Sequence, residues 1–153
     1  MSRDSDFKDN IEYLLVKKNQ IDLEEKRKYF DLFYEYLKQF ISRETLEKDV
    51  EYCFENGKVI GAYLNGSLIG AVSGVYTPFF DKFHIAHLAV EEEYQGKGIG
   101  SELVDRIIPE DKGASVHLNL DNPGLEKFYE NLGFEPTHTR FKKSLGKDKK
   151  PSD

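Results

Sequence analysis

Tryptophan is absent from this sequence, and cysteine and methionine occur once each. A lone cysteine, Cys53, can build neither an intrachain disulfide framework nor a thiolate metal site. Its neighbours Val50 and Phe54 mark it as a small buried thiol of a helix rather than a nucleophile. No apolar run approaches the ~20 residues that span a bilayer. The first ten residues are polar and charged and lack a signal-peptide core, so a cytoplasmic location is the expectation. A basic excess is missing too: 22 Lys and Arg stand against 28 Asp and Glu, a net charge of −6. Residues 140–153 carry six basic and two acidic side chains, so the remainder, with 16 basic and 26 acidic, carries −10. Such a body disfavours nucleic-acid partners, which need basic patches; its charge either serves solubility or also steers cationic partners toward it.

What is present fits one domain with a sizeable core: 153 residues, 39% hydrophobic and 33% charged. The domain is expected over residues 11–145, with 1–10 and 146–153 as flexible termini. Ile11–Val16 reads as a strand. Asp22 opens a helix, with Glu25 as its capping-box partner, and Leu23, Phe30, Phe33, Leu37, Phe40 and Ile41 recur at helical spacing as its inner face. Tyr29, Tyr34 and Tyr36 fall partly off that face. A second helix, over 43–55, buries Leu46, Val50, Cys53 and Phe54 and stops at Gly57. The segments 58–64 and 67–76, joined by Asn65-Gly66, form a hairpin with a type I′ turn. Gly61, Gly70 and Gly74 inside it point to bulges or close backbone approach. The aromatics Phe79 and Phe80 follow in a loop that borders either a binding site or the core. A long strand over 83–90, a helix from Ser101 to Ile108, a strand over 115–120 and a short helix opened by Asn122-Pro123 come next. Residues 134–145 read as a last strand. This order gives an α+β fold, a mixed central sheet flanked by helices.

The chemistry concentrates after the long strand. His84-Ile-Ala-His-Leu-Ala-Val90 leads through an acidic turn, Glu91 to Glu93, into Gln95-Gly96-Lys97-Gly98-Ile99-Gly100 and a helix. Glycines let a backbone turn tightly and approach a ligand closely. A helix N-terminus just beyond offers unpaired N–H groups and a partial positive charge, which suit phosphate. The spacing matches neither the dinucleotide fingerprint nor the P-loop.

With Gln95, Gly98 and Gly100 in place, the loop resembles the Gln/Arg-x-x-Gly-x-Gly/Ala acetyl-CoA segment of the GNAT superfamily of N-acetyltransferases. A second segment resembles that superfamily's Asn-x-x-Ala-x-x-Phe-Tyr-x-x-x-Gly-Phe: Asn122, Phe128, Tyr129, Gly133 and Phe134 match, and Leu125 replaces the alanine. The resemblance implies an acyl-CoA N-acyltransferase fold and transfer of acetyl from acetyl-CoA directly to a primary amine of a small molecule or peptide, without a metal. The alternative it leaves open is a CoA-binding regulatory module without transferase activity.

It also implies roles. Backbone groups of Leu88, Ala89 and Val90 would pair with the pantetheine arm like another strand, the Val90 N–H facing the thioester carbonyl. Gln95, Gly96, Lys97, Gly98, Ile99, Gly100 and Ser101 would hold the pyrophosphate. Asn122 would contact the cofactor arm, and Tyr129 would protonate the leaving thiolate. His84, four residues before Leu88, is the candidate base, and imidazole suits that task near neutral pH. Strand alternation sets His84, Ala86, Leu88 and Val90 on one face and His87 on the other, which argues against a two-histidine metal site and makes His87 structural. No nucleic-acid or membrane partner is expected. The acceptor's identity and the oligomeric state, a homodimer among the options, stay open.

Overall fold

In a computed structural model, residues 10–77, 82–110, 115–120, 122–137, 141 and 143–145 are described. They divide into two compact units, Met1–Asn122 and Pro123–Asp153. The first contains β1 (Ile11–Val16), α1 (Leu23–Leu37), α2 (Arg43–Asn56), β2 (Lys58–Leu64), β3 (Ser67–Tyr76), β4 (Lys82–Val90), α3 (Ile99–Ile107) and β5 (Ser115–Leu118). Its sheet runs β1-β2-β3-β4-β5, antiparallel except for the parallel pair β4–β5, so the expected mixed sheet is found. Asn65 and Gly66 take the positive φ angles, 50° and 82°, that the β2–β3 turn requires.

Helices cover both faces. Gly61 pairs with Ala71 and Gly70 with Ala62, so Gly61 and Gly70 look to opposite sides of the sheet. A Cβ at Gly61 would sit 2.1 Å from the Tyr29 hydroxyl of α1, whereas one at Gly70 would meet Leu103 and Ile99 of α3. Thus α1 and α2 lie on one side and α3 on the other. Glycine at position 61 is what lets a tyrosine pack fully against the strand.

Two expectations for α1 change. Asp22 caps the helix by accepting the Glu25 N–H at 2.8 Å, but the Glu25 carboxylate turns away and accepts from the Tyr63 hydroxyl at 2.9 Å. Tyr63 in turn lies 2.8 Å from the Tyr29 hydroxyl. With its polar tip satisfied, Tyr29 is completely buried, while Leu23 and Phe40, both assigned to the inner face, are 61% and 41% exposed, Phe40 lying past the end of the helix. In α2 the stripe Leu46, Val50, Cys53 and Phe54 is buried as expected, under a Ser42 cap.

The second unit holds a 3-10 turn, Pro123–Leu125, and α4, Glu126–Asn131. The α-helix therefore begins later than Asn122-Pro123 suggested. Its end explains the spacing of Phe-Tyr-x-x-x-Gly-Phe. Gly133, at φ 95°, donates its N–H to the Glu130 carbonyl, and the Phe134 N–H reaches back to the Tyr129 carbonyl, both at 3.0 Å. This pair of bonds is a Schellman cap, and the Tyr129 and Phe134 rings close it 5.7 Å apart. The expected last strand is not formed by the described residues among 134–145, where Pro136 lacks a donor for a ladder. The Phe79-Phe80 loop and both terminal tails lie outside the described residues, Asn10 apart.

Candidate active site

Strand β4 is paired on its β5 side only from Lys82 to Ile85. Beyond Ile85 it continues to Val90 with β3 as its one strand neighbour among the described residues. The Glu91 N–H donates to the Ile69 carbonyl of β3 at 2.8 Å. Backbone groups alternate sides along a strand, so those of Val90 and Leu88 point away from β3, toward the side β5 has left, and those of Ala89 point to β3. The Val90 carbonyl accepts from Gln95 Nε2 at 2.9 Å, which ties the glycine loop to the strand end.

In the loop, Gly96 and Gly98 adopt φ of 78° and 87°, a left-handed conformation that disfavours a Cβ. Gly100 does not; it lies in the first turn of α3. The first helical bond runs from the Glu102 N–H to the Gly98 carbonyl, and no side chain caps the helix. The N–H groups of Ile99, Gly100 and Ser101 therefore emerge at the positive end of the helix dipole. Ile99 is buried and anchors an otherwise exposed loop that includes Lys97. On the α1 side, the Tyr36 hydroxyl donates to Glu91 at 3.2 Å and accepts the Glu92 N–H at 2.7 Å. Tyr36 thus braces the turn from which the loop departs, a role its off-face position in α1 did not reveal.

The histidines are not arranged as alternation predicted. In the β3–β4 ladder Ser73 pairs with His87 but Gly74 pairs with Ile85, leaving Ala86 as an extra residue. This bulge resets the faces. His84 and His87 both line one pocket of about 330 Å³ beneath α1 and α2, together with Cys53, Asp49, Tyr52 and Asn119. The two therefore share a side, in correction of the opposite-face assignment. Among the described residues no group of three or more side chains could hold a metal ion.

His87 is 6% exposed, with Nδ1 2.6 Å from the Ser73 hydroxyl and its ring 5.5 Å from Phe33. Burial, helped by the neighbouring His84, lowers its pKa to about 4, so it is neutral at pH 7. Burial pushes the Cys53 thiol up to about 11, which removes it as a nucleophile and agrees with its reading as a core thiol. Asp49 and Tyr52 were not singled out by the sequence. Their spacing from Cys53, four and one residues along α2, puts Asp49 one helical turn from the buried stripe, and that was the available signal.

Asn122 ends the first unit and is exposed. Tyr129 lies in the second, half-buried, its ring 5.0 Å from Phe128. Burial raises its hydroxyl to about 12, so it keeps its proton at neutral pH.

The same architecture recurs in solved structures. An acetyltransferase from Trypanosoma brucei is 20% identical over 88% of this chain and 99% of its own, with a TM-score of 0.66. An aminoglycoside N-acetyltransferase in complex with CoA is 15% identical over 88% and 94%, with a TM-score of 0.67. A ribosomal-protein-alanine N-acetyltransferase from Brucella melitensis biovar Abortus 2308 is 18% identical over 89% and 99%, with a TM-score of 0.64. At these identities the likeness establishes the fold alone. No curated protein matches the sequence. The sequence pattern of the acetyltransferase (GNAT) family, by contrast, matches residues 23–134, well over half the chain, including β4, the glycine loop and the Phe-Tyr-x-x-x-Gly-Phe cap; the protein belongs to that family.

Proposed function

We propose that this protein transfers an acetyl group from acetyl-CoA directly to a primary amine of a small molecule or peptide. The observation that carries this reading is the stretch of β4 beyond Ile85, which has no paired strand on its β5 side among the described residues and leads straight into a left-handed glycine loop and a helix without a side-chain cap. The thioester supplies the activated acyl group; the chain's residues bind, orient and move protons. Outward backbone groups of Leu88 and Val90 pair with the pantetheine arm, and Ala89 keeps the strand on β3. The Val90 N–H is a preset donor for negative charge growing on the carbonyl oxygen, and Gln95 on the Val90 carbonyl holds that peptide plane. Amides of Ile99, Gly100 and Ser101 grip the pyrophosphate with Gly96 and Gly98 shaping the approach, and Lys97 adds a cation. Asn122 contacts the cofactor arm.

An amine of pKa ~10.4 is almost wholly protonated at pH 7 and must lose a proton to attack. In this reading it enters the pocket beneath α1 and α2, where His84 takes that proton directly or through water. Tyr129 returns one to the departing thiolate. Its hydroxyl carries a proton at neutral pH, as a donor must.

The test pairs binding with turnover. Acetyl-CoA at 100 times its Kd should stabilise the fold by ~2.7 kcal/mol, whereas ATP and NAD should not. An amine panel monitored by release of free CoA thiol should then show transfer. Binding without thiol release on any amine would mark a CoA-binding module instead, and equal stabilisation by ATP would remove the loop assignment.

A further inference from the structure

The pocket beneath α1 and α2 contains a carboxylate for which acetyl transfer has no use. Most acids of α1 and α2 are matched: Asp31 and Glu47 hold Arg43, Glu51 holds Lys26, Glu44 holds Lys48 and Glu55 holds Lys18. Asp49 has no ion pair or hydrogen bond among the described residues, and no described Lys or Arg lines the pocket with it. Partial burial raises its pKa. Phe40 and Tyr52, both large and partly exposed, line the same pocket, and aromatic rings attract cations. Leu37, Ile41 and Val75 add apolar wall suited to methylene groups.

Resting on the acetyl-transfer reading of this pocket, we propose that its acceptor is a diamine or polyamine, whose second cationic nitrogen is held by Asp49 while the reacting amine faces His84. An unmatched carboxylate on the wall of a mixed aromatic and apolar pocket is complementary to a flexible chain charged at both ends. The chain's acidic body favours approach of such a molecule over a neutral or anionic amine.

A series of linear diamines and monoamines of matched length tests this on the full-length protein. The expected result is a diamine-to-monoamine ratio of kcat/KM of about tenfold, roughly what one charge pair at a pocket rim supplies. Asp49→Asn should bring the ratio toward one, mainly through the diamine KM, and Asp49→Glu should keep most of it. Raised salt should shrink the preference, since the pair is partly exposed. Diamine affinity measured by calorimetry reads the site without turnover: about a tenfold loss in Asp49→Asn supports it even if no acetyl group moves, an outcome that would fall on the transfer reading alone. Equal use of both amine types by the wild type, or a diamine affinity indifferent to Asp49→Asn, would overturn the assignment.

Discussion

His87 makes stability depend on pH in a direction and size that follow from its place in the sheet. The folded chain holds its imidazole neutral down to about 4, whereas the unfolded chain protonates it near the ordinary 6.5. Above about 6.5 both states are neutral at this position and it adds no pH dependence. As the pH falls from 6.5 to 4 the unfolded state takes up the proton first, so stability declines across that window. At about 1.4 kcal/mol per pH unit, the whole window corresponds to roughly 3 kcal/mol, and about 2.4 kcal/mol should be lost between pH 7 and 4.5. Urea unfolding of wild type and His87→Gln at matched pH values isolates the contribution, because the carboxylates titrate in both proteins. The gap between the two should narrow or reverse by that amount toward acid. In thermal melts this is an extra fall of about 5–10 °C for the wild type. Two curves that decline in parallel would refute the argument and place the proton elsewhere than on a buried His87.

Three further outcomes are expected. Tyr129→Phe should lower kcat by about a hundredfold with little change in acetyl-CoA affinity, the usual size of a general acid's contribution; unchanged turnover with chemistry shown to be rate-limiting would remove Tyr129 from the reaction. Tyr36→Phe deletes the hydroxyl shared by Glu91 and the Glu92 N–H. It should weaken acetyl-CoA binding about tenfold and cost about 1–2 kcal/mol of stability, and unaltered cofactor affinity would show that the loop does not need this brace. Gly61→Ala forces a Cβ against the Tyr29 hydroxyl, 2.1 Å away before any shift, and should destabilise by about 1–3 kcal/mol while Gly66→Ala, in open space, costs only its turn strain.

Turn chemistry and periodicity carried much of the fold in the sequence itself. Asn65-Gly66 and the Asp22 cap are local signals, settled by backbone conformation within a few residues. The two family segments were legible for the same reason: left-handed glycines at 96, 98 and 133 are fixed by local backbone geometry. The Phe-Tyr-x-x-x-Gly-Phe spacing is itself a helix cap, which is why it can be read without a partner.

Packing decided what remained. Tyr29 is buried because Gly61 and Tyr63 lie across from it, and neither fact is visible from α1 alone. The bulge at Ala86 depends on how β3 and β4 are registered, and it turned His84 from the face of Leu88 to that of His87. Strand alternation has no term for a residue inserted against one partner. The sequence determined the order of elements, the family and the loop, because these rest on local periodicity, turn chemistry and motif spacing. The contents of the pocket, and an Asp49 in it that no described residue pairs, were decided only when distant segments met, since a charge is paired or unpaired by whatever the tertiary structure brings beside it.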